Sequence, residues 1–126
     1  MRLLFAIIII ALSSATGFGQ LAEFSIKAPI IKLPKAKEGD QVKHLIEFTN
    51  TGKSPLIISS YHVPCSCTKL ELPKEPILPG QKGNIILSYD TNGQSFYHDR
   101  EIRLEMNTKK KTVKLRIKLY VEPKPE

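Results

Sequence analysis

The sequence predicts an all-β protein, an antiparallel β-sandwich of about seven short strands, with a small barrel as the structural alternative. Three observations support this prediction. Apolar and polar residues alternate with a period of two in several segments, which is the pattern of strands with one buried face. Turn residues separate these segments at intervals of about eight to twelve residues. No stretch has the apolar stripe of an amphipathic helix.

The clearest strands form a hairpin near the end of the chain. Residues 112–121 alternate strictly, and residues 101–106 do the same just before them. The polar segment 107–111 between them fits a hairpin connection. If Asn107 pairs with Thr112, opposite charges face each other across the hairpin and apolar residues face apolar residues. The cross-strand pairs expected in that register are Glu105 with Lys114, Glu101 with Lys118, Met106 with Val113 and Leu104 with Leu115.

Further strands are predicted upstream, each bounded by turn signals. The stronger segments are residues 42–49, 56–63 and 84–90, and weaker ones lie at 24–26, 30–33 and 70–72. Asn50-Thr51-Gly52 ends the first stronger strand as a turn, and Pro64 stops the second. The middle of the chain is a Pro-rich connection, marked by Pro73, Pro76, Pro79 and Gly80.

The N-terminus has the layout of a secretory signal peptide. Arg2 gives a short positive region, residues 3–12 are ten uninterrupted apolar residues, and Gly17 and Gly19 precede a cut before Gln20. The apolar run is about half the length that a membrane-spanning helix needs. We therefore predict an exported protein, periplasmic or secreted, with no transmembrane segment after cleavage. Disulfides are chemically allowed in that environment.

The length and the cysteine count limit the possible folds. The chain has 126 residues and a net charge of +7, and removing residues 1–19 leaves 107 residues. That length allows one domain and excludes large enzyme folds such as the (β/α)₈ barrel. Two cysteines are too few for a disulfide-dense scaffold or a four-thiolate zinc site. The predicted parts are a signal peptide (1–19), an N-terminal segment with an edge strand (20–37), the sandwich domain (38–122) and a frayed tail (123–126).

Four motifs together resemble a known bacterial family. They are residues 48–58 (FTNTGKSPLII), 65–68 (CSCT), 76–83 (PILPGQKG) and 86–91 (ILSYDT). In order and spacing they are similar to an Ig-like family known as domain of unknown function 1573, which is itself similar to Hydin-type Ig-like modules. The resemblance spans residues 38–121 and implies an Ig-like sandwich of a kind common in exported Bacteroidetes proteins. It implies no established activity. Ser66 stands where the family usually has Gly.

Residues that could bind a metal or take part in thiol chemistry are concentrated in the segment 62–67 (HVPCSC). Residues two apart in an extended chain point the same way, so Cys65 and Cys67 can present two sulfurs to a soft ion such as Cu(I). Alternatively the pair forms a tight, exchange-prone disulfide with a thiol-redox role, which requires the segment to kink. His62 is a third candidate ligand, although its parity places it on the opposite face unless Pro64 introduces a bulge. The plain structural interpretation is that the cysteines are small residues that close the sandwich.

The other polar residues give weaker signals. The Lys-rich segment 109–118 suits a polyanion, but the expected glutamate pairs neutralise half of it, and no aromatic residues are interleaved for nucleic-acid stacking. His44 is interpreted as a packed side chain. The neighbours His98 and Asp99 are not accompanied by an activated serine. We therefore expect no catalytic residues and no cofactor.

Together these features predict an exported, non-enzymatic Ig-like module of unknown specific role that binds a protein or a cell-envelope component. It is not expected to bind nucleic acid. The alternative is a soft-metal or thiol-redox protein that uses Cys65 and Cys67, with His62 as a third ligand. Neither the identity of the partner nor the oligomeric state is predicted.

Overall fold

The structure, a computed structural model, describes residues 21–126. The predicted signal peptide and the cut before Gln20 lie outside the described residues. The described part contains nine strands, and no helix of membrane-spanning length and hydrophobicity occurs in it. The strands are β1 (Phe24–Ser25), β2 (Ile30–Lys32), β3 (Ala36–Lys37), β4 (Gln41–Asn50), β5 (Ile58–His62), β6 (Thr68–Glu71), β7 (Lys82–Asp90), β8 (Phe96–Met106) and β9 (Thr112–Glu122).

The strands form two sheets that pack face to face. The first sheet has the order β1-β4-β7-β6, and the second has the order β2-β9-β8-β5, with β3 also paired to β9. The pairs are antiparallel except that β2 and β3 run parallel to β9. The predicted all-β sandwich is therefore confirmed, with nine strands in place of about seven.

The strand bounds follow the prediction where inward residues are apolar. β4, β5, β7 and β9 begin and end within two residues of the predicted segments. β8 differs, because it begins at Phe96 whereas alternation predicted a strand only from residue 101. His98 and Arg100 occupy inward positions there and are half-buried, so the apolar alternation was absent although the strand continues.

The N-terminal segment contributes to both sheets. β1 pairs with the end of β4 in the first sheet, and the chain then crosses to lay β2 and β3 along β9 in the second. β1 and β2 coincide with the two weak strands predicted there, whereas β3 was not predicted. The segment before residue 38 is thus built into the sandwich on both sides.

The β8–β9 hairpin has a different register from the predicted one. Glu105 lies opposite Thr112 and Arg103 lies opposite Lys114, a shift of two residues. The expected pairs are therefore wrong: Glu105 with Lys114, Glu101 with Lys118, Met106 with Val113 and Leu104 with Leu115. A shift of two residues keeps every side chain on its predicted face, because the side-chain period of a strand is two.

The turn decides this register. The N–H of Met106 donates to the carbonyl oxygen of Lys111 at 2.8 Å, and Lys111 has a φ of 62°. The side chain of Asn107 does not face Thr112. It accepts from the N–H of Ile57 at 2.8 Å and donates to the carbonyl oxygen of Pro55 at 2.9 Å. These contacts with a distant segment carry no signal in the hairpin sequence itself.

A single core fills the space between the sheets. Ile85, Leu87 and Tyr89 of β7 face inward and are fully buried. The buried side chains that β8 and β9 contribute are Ile102, Leu104, Met106, Leu115, Ile117, Leu119 and Val121. Burial of each such large apolar side chain contributes roughly 1.5–3 kcal/mol, so this layer dominates the stability of the domain.

The buried side chain of Asn50 ties several segments together at the end of β4. Its Nδ2 donates to the carbonyl oxygens of Ser54 and Ile77, both at 2.8 Å. Its Oδ1 accepts from the N–H of Glu23 at 3.2 Å and from the N–H of Gly52 at 2.9 Å. The amide therefore uses its full hydrogen-bonding capacity inside the protein.

Gly52 allows the N-terminal segment to approach this turn. A Cβ at Gly52 would overlap the backbone of Leu21 and Glu23. The N–H of Lys53 donates to the carbonyl oxygen of Leu21 at 3.0 Å, and the N–H of Thr51 donates to that of Glu23 at 3.0 Å. The N-terminal segment therefore packs directly against the turn Asn50-Thr51-Gly52.

We predict that Asn50→Ala lowers the free energy of unfolding by about 2–3 kcal/mol, because it removes a buried amide together with its four hydrogen bonds to partly buried backbone groups. Urea denaturation measures the change. Asn84→Ala is the matched control, since Asn84 is exposed on β7 and its loss should cost less than about 0.5 kcal/mol. Equal effects of the two substitutions would contradict the anchoring role of Asn50.

Candidate functional site

Cys65 and Cys67 form a disulfide in the turn that joins the two sheets. The chain leaves β5 of the second sheet, turns through residues 65–68 and enters β6 of the first. The N–H of Thr68 donates to the carbonyl oxygen of Cys65 at 3.1 Å, and the N–H of Asp90 donates to that of Cys67 at 2.8 Å. The two cysteine Cα atoms lie 5.1 Å apart, which is within the range that disulfides require.

Ser66 closes this turn in an ordinary backbone conformation. Among the non-glycine residues between 21 and 126, positive φ values occur only at Phe96 and Lys111. Glycine is therefore not required at position 66, and the departure from the family's usual Cys-Gly-Cys does not strain the turn. The N–H of Cys67 donates to Sγ of Cys65 at 3.1 Å, and both cysteines are half-buried.

His62 is the third residue that the sequence offers as a metal ligand. It is exposed at the end of β5, whereas its neighbours Tyr61 and Val63 pack against the core. Residues 21–126 contain no group of three His, Cys, Asp or Glu side chains that could hold a metal ion, so the structure does not assemble His62, Cys65 and Cys67 as a ligand set. Both sulfurs are bonded to each other, so Cu(I) binding requires reduction of the pair.

Polar side chains also enter the space between the sheets at this end of the sandwich. Nε2 of His98 lies 3.0 Å from the carbonyl oxygen of Ser95, which can only accept, so Nε2 carries the proton. Nδ1 of His98 then accepts from Nη2 of Arg100 at 3.4 Å. The hydroxyl of Tyr89 donates to Gln94 at 2.9 Å. Both ring nitrogens of His98 therefore have hydrogen-bond partners, and neither partner is a nucleophilic side chain.

Asp99 points to the outer face instead, where it binds cations of β9. Its Oδ1 accepts from Nε of Arg116 at 3.0 Å, and Lys118 lies 3.9 Å from its other oxygen. The hydrogen bond from Arg116 lowers the pKa of Asp99 below its ordinary value. The neighbours His98 and Asp99 therefore face opposite ways and form no catalytic pair.

An apolar patch lies on the outer face of the first sheet. Leu45 of β4 and Ile86 of β7 lie directly opposite each other and are 55% and 37% exposed. The Pro-rich connection after β6 stands beside them and adds Leu78, which is 57% exposed. Leu45, Ile86 and Leu78, which we name the sheet-face patch, line a cleft of about 720 Å³.

Sequence reasoning missed the sheet-face patch, although a signal was present. Leu45 and Ile86 interrupt the alternation, because each follows or precedes an inward apolar residue, as in Leu45-Ile46 and Ile85-Ile86-Leu87. Outward apolar residues on two paired strands indicate a second buried or binding face. Their adjacency depends on the β4–β7 register, which the sequence does not supply.

The sequence matches one family model, described as "Protein of unknown function (DUF1573)", over residues 24–121. The match begins within β1, so it includes the N-terminal segment that contributes to both sheets. No curated protein matches the sequence significantly.

Solved structures with a similar fold include proteins of quite different sequence. An "ASH / PapD-like domain of human CEP192" is 10% identical with a TM-score of 0.62, and the match covers 90% of this chain and 95% of that one. A protein of unknown function from Porphyromonas gingivalis W83 is 18% identical with a TM-score of 0.67, covering 86% of this chain and 51% of its own. The YadV chaperone is 16% identical with a TM-score of 0.55, covering 81% and 52%. These likenesses show the fold alone, an Ig-like β-sandwich similar to that of PapD-like domains.

Proposed function

The chain belongs to the DUF1573 family of proteins of unknown function, and we propose that this member is a non-enzymatic module that binds a protein partner. The observation that supports this function best is the sheet-face patch. Leu45 and Ile86 are exposed at the centre of a sheet, where a solvated face normally has polar residues. Contiguous exposed apolar side chains are typical of protein interaction sites.

The surroundings of the patch suit a protein surface. The Pro-rich connection, with Pro73 and Pro76, forms a wall beside the sheet, and Lys82 and Glu47 pair at 3.3 Å on the rim. An apolar core with a polar, charged rim is the usual anatomy of a protein interface. Two of the similar structures are described as a PapD-like domain and a chaperone, which supports protein binding by analogy of fold.

We expect a photo-crosslinking residue at Leu45 or Ile86 to capture the same partner of defined mass in cells of the native host. The same residue at Tyr97 serves as the control, because Tyr97 is 85% exposed on the other sheet. Ile86→Glu should abolish crosslinking from position 45, since a carboxylate would have to be desolvated at the interface. Mass spectrometry of the crosslinked product identifies the partner.

A second variant separates loss of binding from loss of folding. Ile57→Glu makes the same change at a residue that is 49% exposed outside the patch, and it should leave the crosslink intact. Both variants should retain the melting temperature of the unmodified protein. Equal capture from Tyr97, or undiminished capture in the Ile86→Glu variant, would show that the patch does not bind the partner.

We also propose that the protein is exported and acts in the periplasm or outside the cell. The support is the signal-peptide layout of residues 1–19, together with a disulfide between Cys65 and Cys67. Disulfides persist in oxidising compartments and are rare in the cytosol. A cell-envelope protein is therefore the kind of partner we propose.

The expected mature protein begins at Gln20. Intact-mass measurement on protein purified from the host's envelope and culture medium locates its first residue. Gly19→Leu, which removes the small residue before the cut, should leave the leader attached, whereas Gln20→Ala should be cleaved normally. Full-length protein confined to the cytoplasm would contradict export.

Thiol exchange is a second candidate function, favoured by the hydrogen bond from the N–H of Cys67 to Sγ of Cys65. An external thiolate that attacks Sγ of Cys67 forms a mixed disulfide and breaks the Cys65–Cys67 bond. The electron pair leaves on Sγ of Cys65, where this N–H stabilises the thiolate. The bond thus makes Cys65 the preferred leaving group.

We expect incubation with reduced glutathione, followed by acid quenching, to give a glutathione adduct that peptide mapping assigns to Cys67 rather than Cys65. The Cys67→Ser variant is the control. It cannot form the Cys65–Cys67 disulfide, so it should give no glutathione adduct at position 67. Reduced protein titrated with Cu(I) against bathocuproine tests the soft-metal form of this candidate, with Cys65→Ser as its control. No adduct and no Cu(I) retention would leave the disulfide with a structural role alone.

A further inference from the structure

A second cleft, of about 1020 Å³, opens at the edge of the sandwich where the chain crosses from β1 to β2. One wall is the N-terminal segment at residues 21–26, and the other is the start of β9 at residues 112–115. The hairpin turn at 108–110 closes one end. We name this cleft the β9 notch. It shares no lining residue with the cleft at the sheet-face patch.

Successive residues of β9 direct their backbone hydrogen bonds alternately to the two sides of the strand. The N–H of Met106 donates to the carbonyl oxygen of Lys111, so odd-numbered residues of β9 bond to β8. Even-numbered residues bond on the other side, where the N–H of Arg116 donates to the carbonyl oxygen of Pro29 at 2.9 Å. From Arg116 onward, β2 and β3 occupy this side of β9.

The same alternation points the N–H and the carbonyl of Lys114 into the β9 notch. Continued pairing would require the residue at position 29 to donate to the carbonyl of Lys114, but Pro29 has no N–H. β2 therefore begins at Ile30, and the chain before it diverges towards β1. Within residues 21–126 neither backbone group of Lys114 has a backbone partner on this side. A short edge of β9 is thus open to an added strand.

The β9 notch is strongly basic. Its cations are Lys53, Lys109, Lys110 and Lys114. In the described part of the chain none of these four pairs with a carboxylate, and Glu23 is the one acidic residue that lines the notch there. Lys114 also lies opposite Arg103, a like-charge pair that costs stability across a hairpin. An anionic occupant would relieve this repulsion.

The floor of the notch is apolar. Phe24, Ile26 and Val113 lie there and are partly buried against the core. An occupant therefore meets apolar side chains between the sheets, lysines at the rim and an open strand edge along one wall. A polyanion without amide groups would satisfy the lysines alone.

We propose that the β9 notch binds an extended peptide segment in which acidic and apolar residues alternate. Alternate side chains of a strand point to opposite faces, so the apolar ones enter the floor while the carboxylates lie beside Lys114 on the outer face. The backbone of the segment pairs with the N–H and the carbonyl of Lys114, as in other cases of strand addition. The β9 notch lies entirely outside the sheet-face patch.

The test uses the peptide acetyl-Glu-Val-Glu-Val-Glu-amide and the protein that begins at Gln20. We expect saturable binding by fluorescence anisotropy, weakening with added salt, and slower hydrogen exchange at the Lys114 amide in the complex. Lys114→Glu should weaken binding by about fivefold or more, because it replaces an attraction by a repulsion. Lys69→Glu makes the same charge change on exposed β6 and should have no effect.

Two N-methylated forms of the peptide separate strand addition from charge attraction. One is methylated on both valine nitrogens and the other on the three glutamate nitrogens. Only one set of N–H groups can face β9, so one form should lose binding while the other retains it. Equal binding of both forms, or unchanged exchange at Lys114, would overturn the proposal. These outcomes concern residues outside the sheet-face patch, so they do not decide the crosslinking result at Leu45 and Ile86.

Discussion

The four hydrogen bonds of the buried Asn50 side chain are the constraint on which this end of the sandwich depends. The amide links the end of β4 to the N-terminal segment at Glu23, to its own turn at Gly52 and Ser54, and to the Pro-rich connection at Ile77. Each of these segments lacks a long strand of its own, so ladder hydrogen bonds alone do not fix its position. A fully satisfied buried amide specifies one arrangement, because any other leaves polar groups unpaired in a low-dielectric interior.

The same amide positions a wall of both candidate binding surfaces. Through Ile77 it holds the Pro-rich connection beside Leu45 and Ile86, and through Glu23 it holds the N-terminal wall of the β9 notch. Prolines then set where pairing stops. Pro29 ends the parallel pairing along β9 and leaves the edge at Lys114 open. Both proposed surfaces therefore depend on how the sandwich holds its irregular segments in place.

The disulfide lies at the opposite end, where the chain passes from the second sheet to the first. There the turn is fixed by its own backbone hydrogen bonds and by the contact of Cys67 with β7, so the fold does not rely on the sulfur bond alone. The closed loop is very short, and the stabilisation expected from so small a loop is modest, about 1.5 kcal/mol. Thiol exchange is a candidate function beside protein binding because the N–H of Cys67 donates to Sγ of Cys65.

The sequence by itself determined the sandwich class, the faces of the long strands and the Asn50-Thr51-Gly52 turn, because period-two alternation and turn residues are local properties. It also singled out Cys65 and Cys67 by their spacing. Only the tertiary structure decided the β8–β9 register, since Asn107 bonds to the distant residues Pro55 and Ile57 rather than across its own hairpin. That two-residue shift placed Lys114 opposite Arg103 and removed the glutamate pairing that the sequence suggested. The sheet-face patch and the β9 notch likewise exist only once strands far apart in the chain are neighbours, because adjacency across a sheet is a property of register and topology.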